Sequence, residues 1–166
     1  MDQESEKWES WLDEHGPALI LFARQWTYCQ ADAEDVVQDA FVRFWQQRGR
    51  ARDELPYLFS CVRTSALNRR REAARRSRRE AAAGASGATE SWFEDPLENR
   101  QRQELIETAL KSLPDEQREV VVLKIWGNLT LQAIGEVLSI SPDTAASRFR
   151  YALQAFRRTV RKESIQ

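Results

Sequence analysis

The stretch Asn128 to Arg158, NLTLQAIGEVLSISPDTAASRFRYALQAFRR, decides the fold. It reads as a helix, a tight break and a second helix that opens on Ser141-Pro142. A hydroxyl at the N-cap accepts a backbone N–H, and proline in the first helical position gives up a donor that would have had no partner. Thr130 offers the same cap to the first helix, and Ser139-Ile140-Ser141 leaves room only for a short turn between the two. Behind the second cap, Ala145, Phe149, Ala152, Leu153, Phe156 and Val160 recur at helical spacing as one apolar stripe. The other face carries Thr144, Ser147, Arg148, Arg150, Tyr151 and Gln154. A short helix bracing a longer one with a polar, arginine-bearing face is the helix-turn-helix arrangement that reaches a DNA major groove. Two packed helices of an ordinary bundle would show the same periodicity, so the rest of the chain has to decide between them.

The 166 residues suit one domain or two small ones, and their net charge of −1 provides no global field for nucleic acid. The charge is unevenly placed. Residues 1–14 hold Asp2, Glu4, Glu6, Glu9, Asp13 and Glu14 against Lys7. Residues 69–79 hold Arg69, Arg70, Arg71, Arg75, Arg76, Arg78 and Arg79 against Glu72. A third zone, Arg148, Arg150, Arg157, Arg158, Arg161 and Lys162, closes the chain. Local basic blocks in a balanced total suit a protein that touches nucleic acid in places and an acidic or mixed partner elsewhere. There is no apolar run long enough to span a membrane, and the acidic start lacks a signal-peptide core, so a cytoplasmic protein without membrane insertion is expected. Cys29 and Cys61 stand apart with no CxxC and no nearby histidine, which predicts buried thiols rather than a disulfide or metal site. His15, the only histidine, precedes Gly16-Pro17 at an expected helix boundary and is read as a surface or capping residue.

Helical periodicity runs through nearly the whole chain. Trp8, Trp11 and Leu12 begin a pattern that Gly16-Pro17 is expected to interrupt, and Leu19, Ile20, Phe22, Ala23 and Trp26 make a second, nearly all-apolar helix. Asp32 is expected to cap a third, with Val36, Val37, Ala40, Phe41, Phe44 and Trp45 facing inward. After a polar break at Gly49 to Glu54, Pro56 stands near the start of a fourth, which carries Tyr57, Leu58, Phe59, Val62, Ala66 and Leu67 into the arginine block. From about Ala81 the composition changes to AAAGASGATES, small and almost uncharged, and predicts a flexible tether. It ends near Pro96, after the pair Trp92-Phe93, which either docks on a partner or covers the edge of a domain. Leu105, Ile106, Ala109 and Leu110 then define one helix; beyond Leu113-Pro114, Val120, Val121, Leu123 and Ile125 define the apolar face of the next. The expected fold is all-α: small helical domains at 1–76 and 97–166, the second containing the helix-turn-helix, joined by a linker at 77–96.

Asp35, Gln38 and Asp39 lie at i, i+3 and i+4 and so project as neighbours from one helix face, either merely solvated or a docking edge for a basic helix. The segment around them, DAEDVVQDAFVRFWQ, resembles the polymerase-binding helix of the bacterial extracytoplasmic-function (ECF) sigma factors. Three further segments match in the same order. Pro56 to Arg63, PYLFSCVR, resembles the helix that reads and opens the promoter −10 element; Leu113 to Val120, LPDEQREV, the start of the second conserved domain; and Ile134 to Thr144, IGEVLSISPDT, its −35-reading helix-turn-helix.

The resemblance implies a dissociable subunit that directs core RNA polymerase to promoters and helps open them, with no cofactor, no metal and no catalytic residue of its own. Asp35, Gln38 and Asp39 match positions that contact the clamp helices of the polymerase large subunit. Tyr57, Arg63, Thr64, Asn68, Arg69 and Arg70 fall in the −10 segment, with Arg63, Arg69 and Arg70 as backbone contacts. Ser141, Thr144, Ser147, Arg148, Arg150 and Tyr151 fall in the −35 reader. The tether would thread the polymerase toward the RNA exit path, and an anti-sigma factor wedged between the domains is a family expectation. Melting needs only a surface that binds the unpaired strand better than the duplex, and basic side chains with aromatics meet that need. Tyr57 and Phe59 are aromatic candidates for stacking, although residues at this helical spacing are more often core. Two departures stand out. Thr64 replaces a frequent asparagine and lacks the paired groups of an amide, and Ala146 replaces a frequent basic residue, which suggests weaker phosphate binding or a thymine-methyl contact.

Two other classes fit parts of the pattern. A stand-alone helix-turn-helix regulator would bind DNA tightly by itself at a two-fold operator, and an RNA-binding adaptor would use the arginine tract of 55–82. An enzyme is least supported: there is no glycine-rich phosphate loop, no HExxH and no plausible triad around His15.

Overall fold

The computed structural model describes residues 2–79, 90–93 and 99–165, and among them all regular structure is helical. The chain divides into two compact units, Met1–Thr89 and Glu90–Gln166. Most of the expected linker, 80–89 and 94–96, lies outside the described residues. Its described ends are not linker-like: 77–79 continue a helix that ends at Arg79, and 90–93 belong with the second unit.

The first unit is built from α1 (Asp2–Arg24), α2 (Gln30–Gln47) and α3 (Glu54–Arg79), with a 3-10 turn at Arg48–Arg50. Leu19, Phe22 and Ala23 of α1, Val36, Ala40 and Phe44 of α2, and Leu58, Phe59, Val62 and Ala66 of α3 are all sealed from solvent. Each large side chain in such a core contributes about 1.5–3 kcal/mol relative to exposure. Toward the start of α1, Trp8 packs edge-on against Trp11, Phe41, Phe44 and Trp45, with centroids 4.9–5.7 Å apart.

This packing overturns two sequence expectations. Gly16-Pro17 does not break α1, which runs through Pro17 as one helix and leaves His15 inside it, its ring edge-on to Trp11. A proline inside a helix costs about 3 kcal/mol and orphans the carbonyl four residues back. That residue, Asp13, is exposed, so water can satisfy the carbonyl, while Trp8 and Phe22, both buried, anchor the helix on either side. Asp32 does not cap α2. Cys29 does, its Sγ accepting the Asp32 N–H at 3.5 Å, so only Cys61 is a fully buried thiol and Cys29 is half-buried. Phe59, by contrast, is core, as its helical spacing favoured, and is not available to stack on a base.

The second unit comprises α4 (Arg100–Ser112), α5 (Asp115–Ile125), α6 (Leu131–Leu138) and α7 (Pro142–Ser164). Val120, Val121, Val122 and Leu123 are buried on successive sides of α5, so it is central rather than one-faced, and Ile125, expected on the apolar face, is 48% exposed at its end. Arg118 ties off the end of α4, donating to the carbonyls of Leu110 at 3.0 Å and Leu113 at 2.9 Å while pairing with Asp115 at 3.1 Å. Such cationic donors satisfy carbonyls that a helix C-terminus leaves without partners.

Trp92 resolves the question left by its sequence: it covers the edge of this unit. It is 7% exposed, and its backbone N–H donates to Oε1 of the buried Glu107 at 3.1 Å. The Ser91 hydroxyl donates to Oε2 of the same carboxylate at 3.3 Å, and Lys111 closes the set at 2.9 Å. The cations of Lys111 and Arg118 stand 5.3 and 5.9 Å from the indole, and the ring of Phe93 lies 6.2 Å from Trp126. Truncating a buried indole costs about 3–5 kcal/mol. Trp92→Ala is therefore expected to lower the denaturant midpoint of the second unit while leaving that of the first unchanged, as separate probes of the two transitions would show; an unmoved midpoint would make this packing incidental.

Candidate functional site

Three exposed surfaces carry the candidate residues. On α2, Asp35, Gln38 and Asp39 are all exposed and share the face their spacing predicts. That face is not isolated. Arg69 of α3 reaches Asp35 Oδ2 at 3.4 Å and Asp32 Oδ1 at 3.7 Å. Asp39, Asn68 and Arg69 also border one cleft of about 290 Å³ between α2 and α3, which Arg43, Glu72 and the buried Ser65 help to line. Arg69, expected to contact DNA, is thus held by Asp35, expected to contact protein, and by Asp32 beside it. Sequence gave no sign of this, because the partners are 34 positions apart and no local periodicity joins them.

Along α3 the six −10 candidates do not form a single stripe. Tyr57, Thr64 and Asn68, spaced by seven and four residues, follow one line of the helix; Arg63 and Arg70, seven apart, follow a second; Arg69 turns toward α2. The Tyr57 hydroxyl donates to Gln47 Oε1 at 3.0 Å and its ring lies 5.9 Å from Phe44, so it is half-embedded against α2. Burial raises the pKa of this hydroxyl, with the neighbouring Cys61 adding to the effect, and burial likewise raises that of the Cys61 thiol. Both stay protonated near neutral pH. The Thr64 hydroxyl donates to the Ser60 carbonyl one turn back at 3.0 Å, which leaves it only an acceptor for a base. The arginine tract continues along the exposed last turns of α3 to Arg79.

The third surface is the helix-turn-helix. Thr130 caps α6 by accepting the Ala133 N–H at 3.1 Å, and Ser141 caps α7 by accepting the Thr144 N–H at 3.1 Å. Between them Ser139 adopts a left-handed conformation, φ 57°, and the Ile140 N–H returns to the Gly135 carbonyl at 2.9 Å. The turn is so tight that a Cβ on Gly135 would lie 2.6 Å from the Ile140 carbonyl oxygen. On α7, Ala145 and Ala152 are buried while Ser147, Arg148 and Tyr151 emerge beside Thr144 on the outer face. Ser141 also donates to the Thr144 hydroxyl at 2.9 Å, so these two side chains build the helix start. Arg148 lies 3.8 Å from Glu116 of α5, a pairing sequence could not reveal, and the Arg150 guanidinium stands 5.3 Å from the Tyr151 ring. An exposed pair of this kind adds about 0–1 kcal/mol to stability, so it holds Arg148 only weakly.

These surfaces sit where similar proteins are recognised. Residues 11–76 match the family model described as Sigma-70 region 2, and residues 103–156 match the one described as Sigma-70, region 4. The chain is 31% identical over 157 residues, 92% of its length and 88% of the relative's, to the ECF RNA polymerase sigma factor SigL of Mycobacterium tuberculosis. Among solved structures it is similar to the sigma factor RpoE in complex with the anti-sigma factor NepR from Bartonella quintana, with a TM-score of 0.71 and 19% identity over 94% of this chain and 98% of that one. It is also similar to CnrH in complex with the cytosolic domain of CnrY, with a TM-score of 0.66 and 21% identity over 95% of this chain and 90% of that one.

Proposed function

Because the chain belongs to the ECF sigma factors of the sigma-70 family, we propose that its two units divide the work of promoter-specific transcription initiation. The protein binds core RNA polymerase and promoter DNA and directs initiation. In the reading advanced here, α2 of the first unit docks on the clamp helices of the polymerase large subunit through Asp35, Gln38 and Asp39. The exposed side of α3, with Tyr57, Arg63, Thr64, Asn68, Arg69 and Arg70, holds the −10 region, and α7 reads the −35 element through Ser147, Arg148, Arg150 and Tyr151, with Ser141 and Thr144 at the backbone. The observation that supports this division most is the pairing in one chain of an acidic, exposed α2 face in the region 2 match with an arginine-bearing α7 face in the region 4 match. The work is binding rather than bond chemistry, so the protein needs no catalytic residue and no cofactor.

The setting follows from the partner. A polymerase subunit acts in the cytoplasm, and no helix among the described residues is long and apolar enough to cross a membrane. RpoE was solved in complex with the anti-sigma factor NepR and CnrH in complex with the cytosolic domain of CnrY, and an anti-sigma factor is proposed for this chain too.

Run-off transcription with core polymerase on a randomised promoter library tests the function and reports the recognised bases together. Specific initiation that depends on the added chain is expected; core that ignores the chain at every sequence would overturn the reading. A stand-alone regulator would instead bind its DNA tightly without core. Within this assay Arg148→Ala is expected to reduce −35-dependent initiation by about ten- to a hundredfold, since a bidentate arginine–base contact is worth ~1–3 kcal/mol. Core affinity should stay unchanged. Equal losses in both assays would make α7 a structural helix here.

A further inference from the structure

The turn between α1 and α2 holds an aromatic ring out to solvent beside the arginines of α3. Tyr28 is 65% exposed, although Trp26 and Thr27 before it are buried. The turn is braced on both sides. Arg24, itself sealed from solvent, donates to the Thr27 carbonyl at 2.6 Å; the Thr27 hydroxyl donates to the Ala23 carbonyl at 3.1 Å; and Cys29 is committed to capping α2. The backbone is therefore fixed where the ring cannot fold back into the core. Tyr28 lines a cleft of about 180 Å³ with Trp26 and with Arg69, Arg70 and Arg76, three cations spaced along one side of α3. Asp32 is the one carboxylate at its edge, and it is engaged by Arg69 at 3.7 Å.

A flat, outward ring on a rigid turn, bordered by cations, is the composition of a shelf for unpaired nucleic acid. The ring stacks on a base of any identity while the guanidinium groups meet the phosphates on either side. A duplex hides its base faces, so such a shelf discriminates between paired and opened strands by geometry alone.

We propose that Tyr28, flanked by Arg70 and Arg76, is a stacking site for an unpaired base of the opened promoter strand. It lies on the α1–α2 turn, outside the −10 candidates at Tyr57 and Thr64. The assignment to promoter DNA rests on the sigma-factor reading, whereas affinity for single-stranded DNA does not depend on it.

The test uses the full-length chain with Tyr28→Ala and Tyr28→Phe. Exposure makes both substitutions compatible with the fold, and melting curves check this directly. First, the free protein is titrated with fluorescein-labelled oligo(dT). Tyr28→Ala is expected to weaken binding about tenfold, the loss of one stacked base, and Tyr28→Phe to retain it. Second, holoenzyme is titrated with a promoter fork whose −10 segment is single-stranded and with the fully paired promoter. The alanine variant should lose affinity for the fork and keep wild-type affinity for the duplex and for core. Unchanged oligonucleotide affinity overturns the proposal. So does equal loss on fork and duplex, or a selective loss of core binding, which would make Tyr28 a protein contact. Failure of the wild-type chain to bind core would count against the sigma-factor reading, and the oligonucleotide titration would still decide whether Tyr28 stacks.

Discussion

Alanine at Asp35, Gln38 and Asp39 together is expected to abolish holoenzyme formation and leave the helical fold intact. All three side chains are exposed, so none contributes to the core of α1, α2 and α3. Among the described residues, the contact of these side chains that would be lost is Asp35 with Arg69, an exposed pair worth about 0–1 kcal/mol. Alanine is also the best helix former, a gain of a few tenths of a kcal/mol at each position that offsets that loss. Docking stands differently. A hydrogen-bonded charge buried against a partner costs about 2–5 kcal/mol when one side is removed, so losing the Asp35 and Asp39 carboxylates together with the Gln38 amide amounts to a loss of about a thousandfold in core affinity. Circular dichroism should be superimposable on that of the wild type and core affinity unmeasurable. A triple variant that still bound core within threefold would remove this face of α2 from the interface. Arg69→Gln is the informative companion, because it leaves the three side chains in place and removes only their neighbour.

Gly135→Ala is expected to destabilise the second unit, against the sign that helix propensity gives. In an exposed helix interior the exchange stabilises by about 1 kcal/mol. Here the new methyl would meet the Ile140 carbonyl oxygen at 2.6 Å and the Pro142 nitrogen at 3.5 Å, both backbone atoms. The turn has little freedom to retreat. Ser139 already occupies the left-handed region, the Ile140 N–H is bonded to Gly135 itself, and Ser141 is committed to the cap of α7. Overpacking at a site that cannot relax costs about 1–3 kcal/mol, and any relief would come from moving the start of α7, which carries Thr144, Ser147 and Arg148. A lower melting temperature with weaker −35 duplex binding by holoenzyme is expected; a raised melting temperature would mean the turn yields freely.

The helix-turn-helix was legible in sequence because its determinants are local: Thr130 and Ser141 each accept the N–H three residues on, and Pro142 takes the first helical position, where an N–H would have no partner. Both caps and the buried side of α7 followed from spacing alone. Features set by distant packing were not legible. Pro17 reads as a stop, and only the aromatic cluster around Trp8, assembled from α1 and α2, shows why the helix continues through it. Cys29 displaced Asp32 as the cap of α2 because α2 begins two residues before that aspartate, which frees it for Arg69. The candidate sites were found through order and resemblance, and their residues do lie on exposed faces. What sequence did not convey is that Arg69 and Arg148 each rest against a carboxylate of another helix. Such pairings depend on the crossing of helices, which no single-helix periodicity contains.

Trp92 determines where this protein can be taken apart. Its indole plugs the side of α4 and α5, and its backbone occupies the Glu107 carboxylate, so the second unit carries its own stopper upstream of residue 103, where the region 4 match begins. A chimera that transplants the −35 reader onto a foreign partner therefore needs its splice ahead of Glu90. Joined any later, the graft would arrive with an open seam and a stranded carboxylate, and its failure to fold would be mistaken for incompatibility with the host.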